Sequence, residues 1–295
     1  MTLTAIPVKE PKKDWVAYIF VGPAMIILAL MVLIPFLATL GFSFTDVTFL
    51  QDTSFVGLDN YRSIVSDPIF RQALLNTLYY TVGVTVPTIV VGLLVALLLN
   101  MQFPGRNIFR GIFYLPVLMS IAAAALVWLY FYNPDSGPLN GFLDSLGIAA
   151  PRWLQNPSTA MPSLIFMAVW RDFGTSMLLF LAGLQAVPEE LKEAARIDGA
   201  GRFRVFGSVT WPLLRPIALY VVILTVVGSF QVFGSIYIMT EGGPVGSTST
   251  VVYEIYRSAF AYAQFGYSSA ATVVLFIFIL VFAILGTRLV GRRST

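Results

Sequence analysis

Two formal charges stand inside an otherwise apolar stretch of this chain: Arg171 and Asp172, directly after Trp170. They fall near the middle of the run 162–184. Charges so placed in a long apolar segment are costly and face a cavity or a partner group. Adjacent residues of a helix point about 100° apart, so these two need not pair with each other. Three chemistries suit them: anchoring to a neighbouring helix, hydrogen bonding to a hydroxyl-bearing solute, or proton relay. A relay wants acids in other apolar runs, and no other run carries a mid-run charge. Gln231 is a further polar residue in an apolar run, 217–239, and is a candidate for lining the same path. The chain has no histidine and no cysteine. It therefore lacks the commonest metal ligand and general base, and it has no thiolate metal sites or disulfides. A single mid-run acid leaves acid–base catalysis without its second group. No G-x-x-x-x-G-K-[ST] stretch is present, so the chain carries no such nucleotide site. These features argue against an enzyme and against a cofactor.

A second constellation lies in the polar stretch 187–201. Pro188 suits the first position of a helix, Glu189 and Glu190 suit its positive end, and Gly199 suits its stop. The expected helix is about eleven residues, roughly 16 Å long. Leu191, Ala194, Ala195 and Asp198 share one face by i, i+3, i+4, i+7 spacing. That face is small, and two alanines permit the close approach of another backbone, as a helix laid in a groove requires. Glu193 borders it, in reach of a cation on a partner. The same residues also fit a surface linker supported by Glu189/Lys192 and Glu193/Arg196 pairs.

The elements that must position these groups follow from composition. Apolar residues make up 57% of the 295, charged residues 11%, and mean hydropathy is +0.81. A soluble domain carries about a quarter charged residues, so lipid must cover part of this surface. A net charge of +3 is too small to suggest a nucleic-acid partner. Residues 16–40 form a run without a formal charge, and similar runs are 73–99, 112–132, 162–184, 217–239 and 270–285. Crossing the hydrocarbon takes roughly 20 residues at 1.5 Å each. The prediction is an all-α membrane protein of about six spans. Lys9, Lys12 and Lys13 precede the first run and no small-residue cleavage signal follows it, which reads as an uncleaved signal anchor. Pro23, Pro35 and Pro87 fall inside runs, where neighbouring helices tolerate them.

Counting basic residues orients the spans. Thirteen lie in the N-terminal segment, the second and fourth loops and the C-terminal tail; four (Arg62, Arg71, Arg152 and Arg257) lie in the other loops. The positive-inside rule puts the thirteen, and both termini, in the cytoplasm. The expected organisation is a cytoplasmic segment 1–14, a six-span domain 15–290 containing the loop 187–201, and a cytoplasmic tail 291–295.

The residues of the loop also carry a resemblance. Glu193-Ala194-Ala195, Asp198-Gly199-Ala200 and Leu213-Leu214-Arg215-Pro216 resemble the E-A-A loop of ABC importer permeases. Val56-Gly57-Leu58-Asp59-Asn60-Tyr61, Asn76-Thr77, Leu115-Pro116, Gly242-Gly243-Pro244 and Phe265-Gly266-Tyr267 extend the match through most of the chain. They resemble the carbohydrate-uptake branch, of maltose and glycerol-3-phosphate permease type. The extra N-terminal spans and large periplasmic insertion of the maltose-type subunit are absent.

The resemblance implies a type I ABC importer permease fold in a bacterial or archaeal inner membrane. It implies a second homologous permease subunit, two ATP-binding subunits, an extracytoplasmic solute-binding protein, and alternating access. The loop becomes a coupling helix seated in a cleft of the ATPase, through Glu193, Ala194, Ala195, Asp198 and Gly199. Family members with a known sugar pocket build it from the helices matching spans four and five. Counted from Pro188, the pocket positions fall on Arg171, Asp172 and Thr175. Counted from Gly242-Gly243-Pro244, they fall on Thr225, Gly228, Ser229 and Val232. Where the family has an aromatic platform this chain has Thr175 and Gly228, which leaves Phe173, Phe230 or Phe233 to supply one. A disaccharide, oligosaccharide, polyol or glycerol phosphodiester fits this reading. The rival reading from another class is an ion-coupled secondary transporter, which needs an intramembrane ion site built from broken helices within repeats.

Overall fold

The structure, a computed structural model, describes residues 15–48 and 53–291. The expected segment 1–14 with its three lysines, residues 49–52, and Arg292 and Arg293 of the expected tail lie outside the described residues. Apart from one two-residue strand pair, the regular structure is helical. The chain opens with α1 (Trp15–Leu28), a π turn (Ala29–Leu33) and α2 (Ile34–Phe42), which run on as one rod. Strands β1 (Thr45–Asp46) and β2 (Ser54–Phe55) then pair antiparallel. The short α3 (Asp59–Ser66) leads into α4 (Pro68–Asn100). Next come α5 (Arg106–Tyr114), a 3-10 turn (Leu115–Leu118), α6 (Ile121–Phe131) and α7 (Pro138–Ser145). The long α8 (Pro157–Ala186) precedes the loop helix α9 (Glu189–Ile197). The chain continues through α10 (Arg202–Val205), a π turn (Phe206–Thr210) and α11 (Trp211–Phe230). It ends with α12 (Gly234–Met239), α13 (Val251–Tyr256), a π turn (Arg257–Ala261) and α14 (Phe265–Gly291).

Five helices are long and apolar enough to cross a membrane: Tyr18–Phe42, Pro68–Asn100, Pro157–Ala186, Arg202–Phe230 and Phe265–Gly286. Among the described residues the pair Arg106–Leu118 and Ile121–Phe131, bent by 96°, makes a sixth if the two helices count as one span. Four of the six apolar runs thus become straight helices, and two do not. The run 112–132 breaks because Ser120 takes an extended backbone and its Oγ accepts from Ala123 N at 3.2 Å, starting a new helix. The run 217–239 breaks at Gln231, whose backbone leaves the helical region, and resumes at Gly234. Non-helical backbone at membrane depth is tolerated where it lines a cavity; the break at Gln231 does so, and beside the break at Ser120 the next residue, Ile121, reaches the same cavity.

The bundle is held by close helix contact. A Cβ added at Gly92 of α4 would stand 2.7 Å from Ser176 Cβ and 3.1 Å from Met177 N of α8. One added at Gly174 of α8 would stand 2.7 Å from the Phe113 carbonyl oxygen. Small residues let backbones approach to this distance, which supplies dispersion contacts where no hydrophobic driving force acts between helices.

Polar clasps tie the end of the bundle opposite α9. Asn60 Nδ2 donates to the carbonyls of Ser43 (2.9 Å) and Thr45 (3.0 Å), and Tyr61 Oη lies 2.7 Å from Ser43 Oγ. Tyr267 Oη donates to Asp67 at 2.6 Å, while the other carboxylate oxygen of Asp67 caps α4 through Ile69 N. Gly266 leaves no room for a side chain, since a Cβ would meet the Thr45 carbonyl. Asn76 Nδ2 donates to the carbonyls of Gly246 (2.9 Å) and Ser249 (2.8 Å), and Val251 N donates to Thr77 Oγ1 at 3.0 Å. The loop between α12 and α13 is therefore pinned to the first turns of α4.

Candidate functional site

The long helices border a half-open cavity of about 430 Å³. All eight residues expected to meet solute line it: Arg171, Asp172 and Thr175 from α8, Thr225, Gly228 and Ser229 from α11, and Gln231 and Val232 from the break. The reason is geometric. On α8, positions 171, 172 and 175 share a face, as do 225, 228, 229 and 232 where α11 runs out.

Arg171 Nε donates to Asp172 Oδ1 at 2.7 Å. The angular separation of adjacent residues does not prevent the contact, because the long arginine side chain folds back. The side chains are 26% and 36% exposed. The pair therefore has both ways of avoiding the cost of buried charge, a partner and a wet cavity. Free lone pairs on Asp172 and free N–H groups on Arg171 remain for a hydroxyl-rich solute. Thr225 Oγ1 donates to the Val221 carbonyl at 2.8 Å and keeps its acceptor capacity.

Sequence reasoning missed part of the lining. Tyr80, Val84 and Thr88 of α4, Ile121 at the start of α6, and Ser235 of α12 also face the cavity. Thr88 Oγ1 is buried without a hydrogen bond inside the chain. The tyrosine and threonine carried no distinguishing signal, because α4 also bears Asn76, Thr77, Tyr79, Thr81 and Thr85 among its 33 residues. Of the three candidate aromatics, Phe233 lines the cavity. Phe173 packs edge-on against Phe113 with centroids 6.1 Å apart, and Phe230 is buried in the core beside α14. Gly228 has open space: a Cβ built there meets no heavy atom within 4 Å.

The loop helix α9 is nine residues, with Pro188 just before it rather than at its first position. It ends in a Schellman arrangement. Ala200 N donates to the Ala195 carbonyl (2.9 Å), Gly199 N donates to the Arg196 carbonyl (3.0 Å), and Gly199 adopts φ +82°. Glu189 accepts from Lys192 Nζ at 2.9 Å and from Arg196 Nη1 at 3.2 Å. Hydrogen bonding from the Lys192 ammonium holds the Glu189 carboxyl below the usual carboxylate range. The expected Glu193/Arg196 pair does not form, because Arg196 reaches back two turns to Glu189. Glu193 has no ion pair among the described residues. Leu191, Glu193, Ala194, Asp198 and Gly199 are exposed, and Ala195 is half-buried. Ile197 joins the exposed set at 86%, a residue that the expected face omitted.

Known proteins of similar sequence are transport permeases. The arabinooligosaccharides transport system permease protein AraP of Bacillus subtilis (strain 168) is 35% identical over 93% of this chain and 88% of its own length. The trehalose/maltose transport system permease protein MalF of Thermococcus litoralis is 35% identical, over 93% of each chain. The fold matches a chain in the crystal structure of a bacterial alginate ABC transporter, with TM-score 0.84, 22% identity and 95% coverage of both chains. The model of one family, described as binding-protein-dependent transport system inner membrane component, matches residues 70–295. The half-open cavity, the small-faced loop helix and these likenesses agree, and the chain belongs to the family of binding-protein-dependent transport system inner membrane components.

Proposed function

We propose that this chain is one of two homologous permease subunits of an ATP-driven importer for a carbohydrate or related solute. The observation that carries the reading is the convergence of all eight expected residues on one cavity with a charged pair in its wall. In this reading α9 and both termini lie in the cytoplasm. The exposed face of α9 docks in a groove of an ATP-binding subunit through Ala194 and Gly199, with Glu193 meeting a basic residue there. Asp198 flanks the contact, and Ala195 supports it from the inner side. The loops 44–70, 133–160 and 240–268 face outside and receive the solute-binding protein. These loops carry eight acidic residues against three basic ones (Arg62, Arg152 and Arg257), which favours a binding protein with a basic rim.

In the cavity, Asp172 accepts from solute hydroxyls, Arg171, Thr175, Thr225, Ser229 and Gln231 donate or accept around them, and Phe233 offers a ring face. Gly228 and Val232 shape the wall. The relatives named above carry arabinooligosaccharides and trehalose/maltose in their names, which supports a disaccharide or oligosaccharide. A permease of Escherichia coli (strain UTI89 / UPEC), 33% identical over 96% of each chain, carries sn-glycerol-3-phosphate in its name and supports a glycerol phosphodiester equally. They do not favour an ion-coupled transporter. The test is uptake by proteoliposomes containing the complete transporter, with and without ATP and binding protein. Uptake that proceeds on an ion gradient without ATP would overturn the assignment. The solute is identified as the ligand that raises the melting temperature of the cognate binding protein.

A further inference from the structure

The face of α9 turned away from Ala194 and Ile197 carries Glu189, Lys192 and Arg196, at i, i+3 and i+7. These three residues form one wall of a second cavity, about 510 Å³, at the root of the loop. Arg202 of α10 and Asn100 at the end of α4 stand across from them. Three cations thus share the space with one carboxylate, and that carboxylate is already held by Lys192 and Arg196. Arg202 has no ion pair among the described residues. The remaining wall is mainly apolar, with Leu97, Leu184, Val205 and Phe206 beside the polar Gln102 and Thr210. The cavity lies where the apolar run of α4 stops, so its polar part sits at headgroup level and its apolar part at the level of acyl chains.

We propose that this cavity holds the phosphodiester headgroup of an anionic phospholipid from the leaflet on the α9 side. An excess of positive charge beside an apolar wall, between spanning helices at one membrane surface, matches such a lipid in both charge and shape. The headgroup bridges α9 to α4 and α10. It fixes the root of the loop helix while the opposite face stays free to dock. The inference is independent of which solute the transporter carries.

The test uses the complete transporter in nanodiscs containing equal amounts of phosphatidylglycerol and phosphatidylethanolamine, with retained lipid counted by native mass spectrometry. The wild type should retain phosphatidylglycerol preferentially. The double variant Arg196→Gln/Arg202→Gln should lose that preference by about twenty-five-fold, since each cation near the surface contributes about fivefold. Arg196→Lys/Arg202→Lys should restore most of it. Equal melting temperatures of wild type and double variant in phosphatidylcholine nanodiscs show that the fold is kept. If the double variant melts lower, Arg202→Gln alone, which breaks no ion pair, should still cost about fivefold. Unchanged retention in that variant overturns the proposal. So does protection of the wild type by millimolar inorganic phosphate without any preference for phosphatidylglycerol, an outcome that assigns the cavity to a soluble anion.

Discussion

Replacing Asp172 by Asn keeps the shape of the side chain and removes its charge. The carboxylate accepts from Arg171 Nε at 2.7 Å, with the two side chains 26% and 36% exposed. A charged hydrogen bond contributes about 1.5–3 kcal/mol when shielded. At this exposure solvent screens the ion pair, and its own contribution falls to about 1 kcal/mol or less. A solute that displaces water around Asp172 regains the shielded value. Loss of one such bond, at the lower end of about 1.5 kcal/mol, weakens the apparent affinity for solute by about tenfold or more, so uptake at subsaturating solute falls in proportion. The assay is uptake of labelled solute by proteoliposomes, measured beside the yield of assembled complex and basal ATP hydrolysis. Asp172→Asn should lower uptake about tenfold and leave assembly and basal hydrolysis near wild type. The Arg171 contact supplies an internal control. In an Arg171→Gln background the ion pair is already gone, so Asp172→Asn should still cost about tenfold if the carboxylate meets solute directly. No further loss in that background would mean that Asp172 serves only to hold Arg171. Wild-type uptake, or a complex that falls apart in detergent, would refute the reasoning altogether.

Ala194→Leu should block the close approach of the ATP-binding subunit, leaving assembled complex whose ATP hydrolysis no longer responds to solute-loaded binding protein. Gly199→Val puts a β-branched residue at φ +82° and should destabilise the end of α9 by about 1–2 kcal/mol, seen as faster hydrogen exchange in residues 189–200. Gly92→Val drives a side chain to within 3 Å of Ser176; overpacking costs about 1–3 kcal/mol, and the melting temperature should fall. Asn76→Ala removes two hydrogen bonds to the α12–α13 loop and should cost about 1–3 kcal/mol for the carbonyls left unmet. Its readout is loss of stimulation by the binding protein with basal hydrolysis retained.

How much of this was legible in the sequence depends on what a run of apolar residues can report. Hydropathy located every crossing, because lipid imposes one composition on all of them. It did not show the two breaks, because Ser120 and Gln231 alter backbone direction without altering mean hydropathy. Each break had a small signal, Ser120 as a helix cap and Gln231 as an amide among apolar neighbours. The α8 and α11 walls of the cavity followed from the family resemblance, counted from Pro188 and from Gly242-Gly243-Pro244. The α4 wall, with Tyr80 and Thr88, depends on how α4 crosses α8, which no local pattern encodes. Around α9, the stop at Gly199 was legible because only glycine adopts that conformation without strain. The choice of Glu189 over Glu193 by Arg196 was not, since both lie within reach of a long side chain.

The open space beside Gly228 bears on how such a chain changes in evolution. Most core glycines here are fixed by their neighbours, so any replacement there damages the bundle before it alters the cavity. At Gly228 a side chain would extend into the cavity and nowhere else. A single substitution at this position narrows or lengthens the chamber while leaving helix contacts as they were. If this cavity is the solute site proposed above, solute choice can drift by point mutation without a loss of stability to be repaired elsewhere. Related permeases are then free to diverge in cargo faster than they diverge in fold.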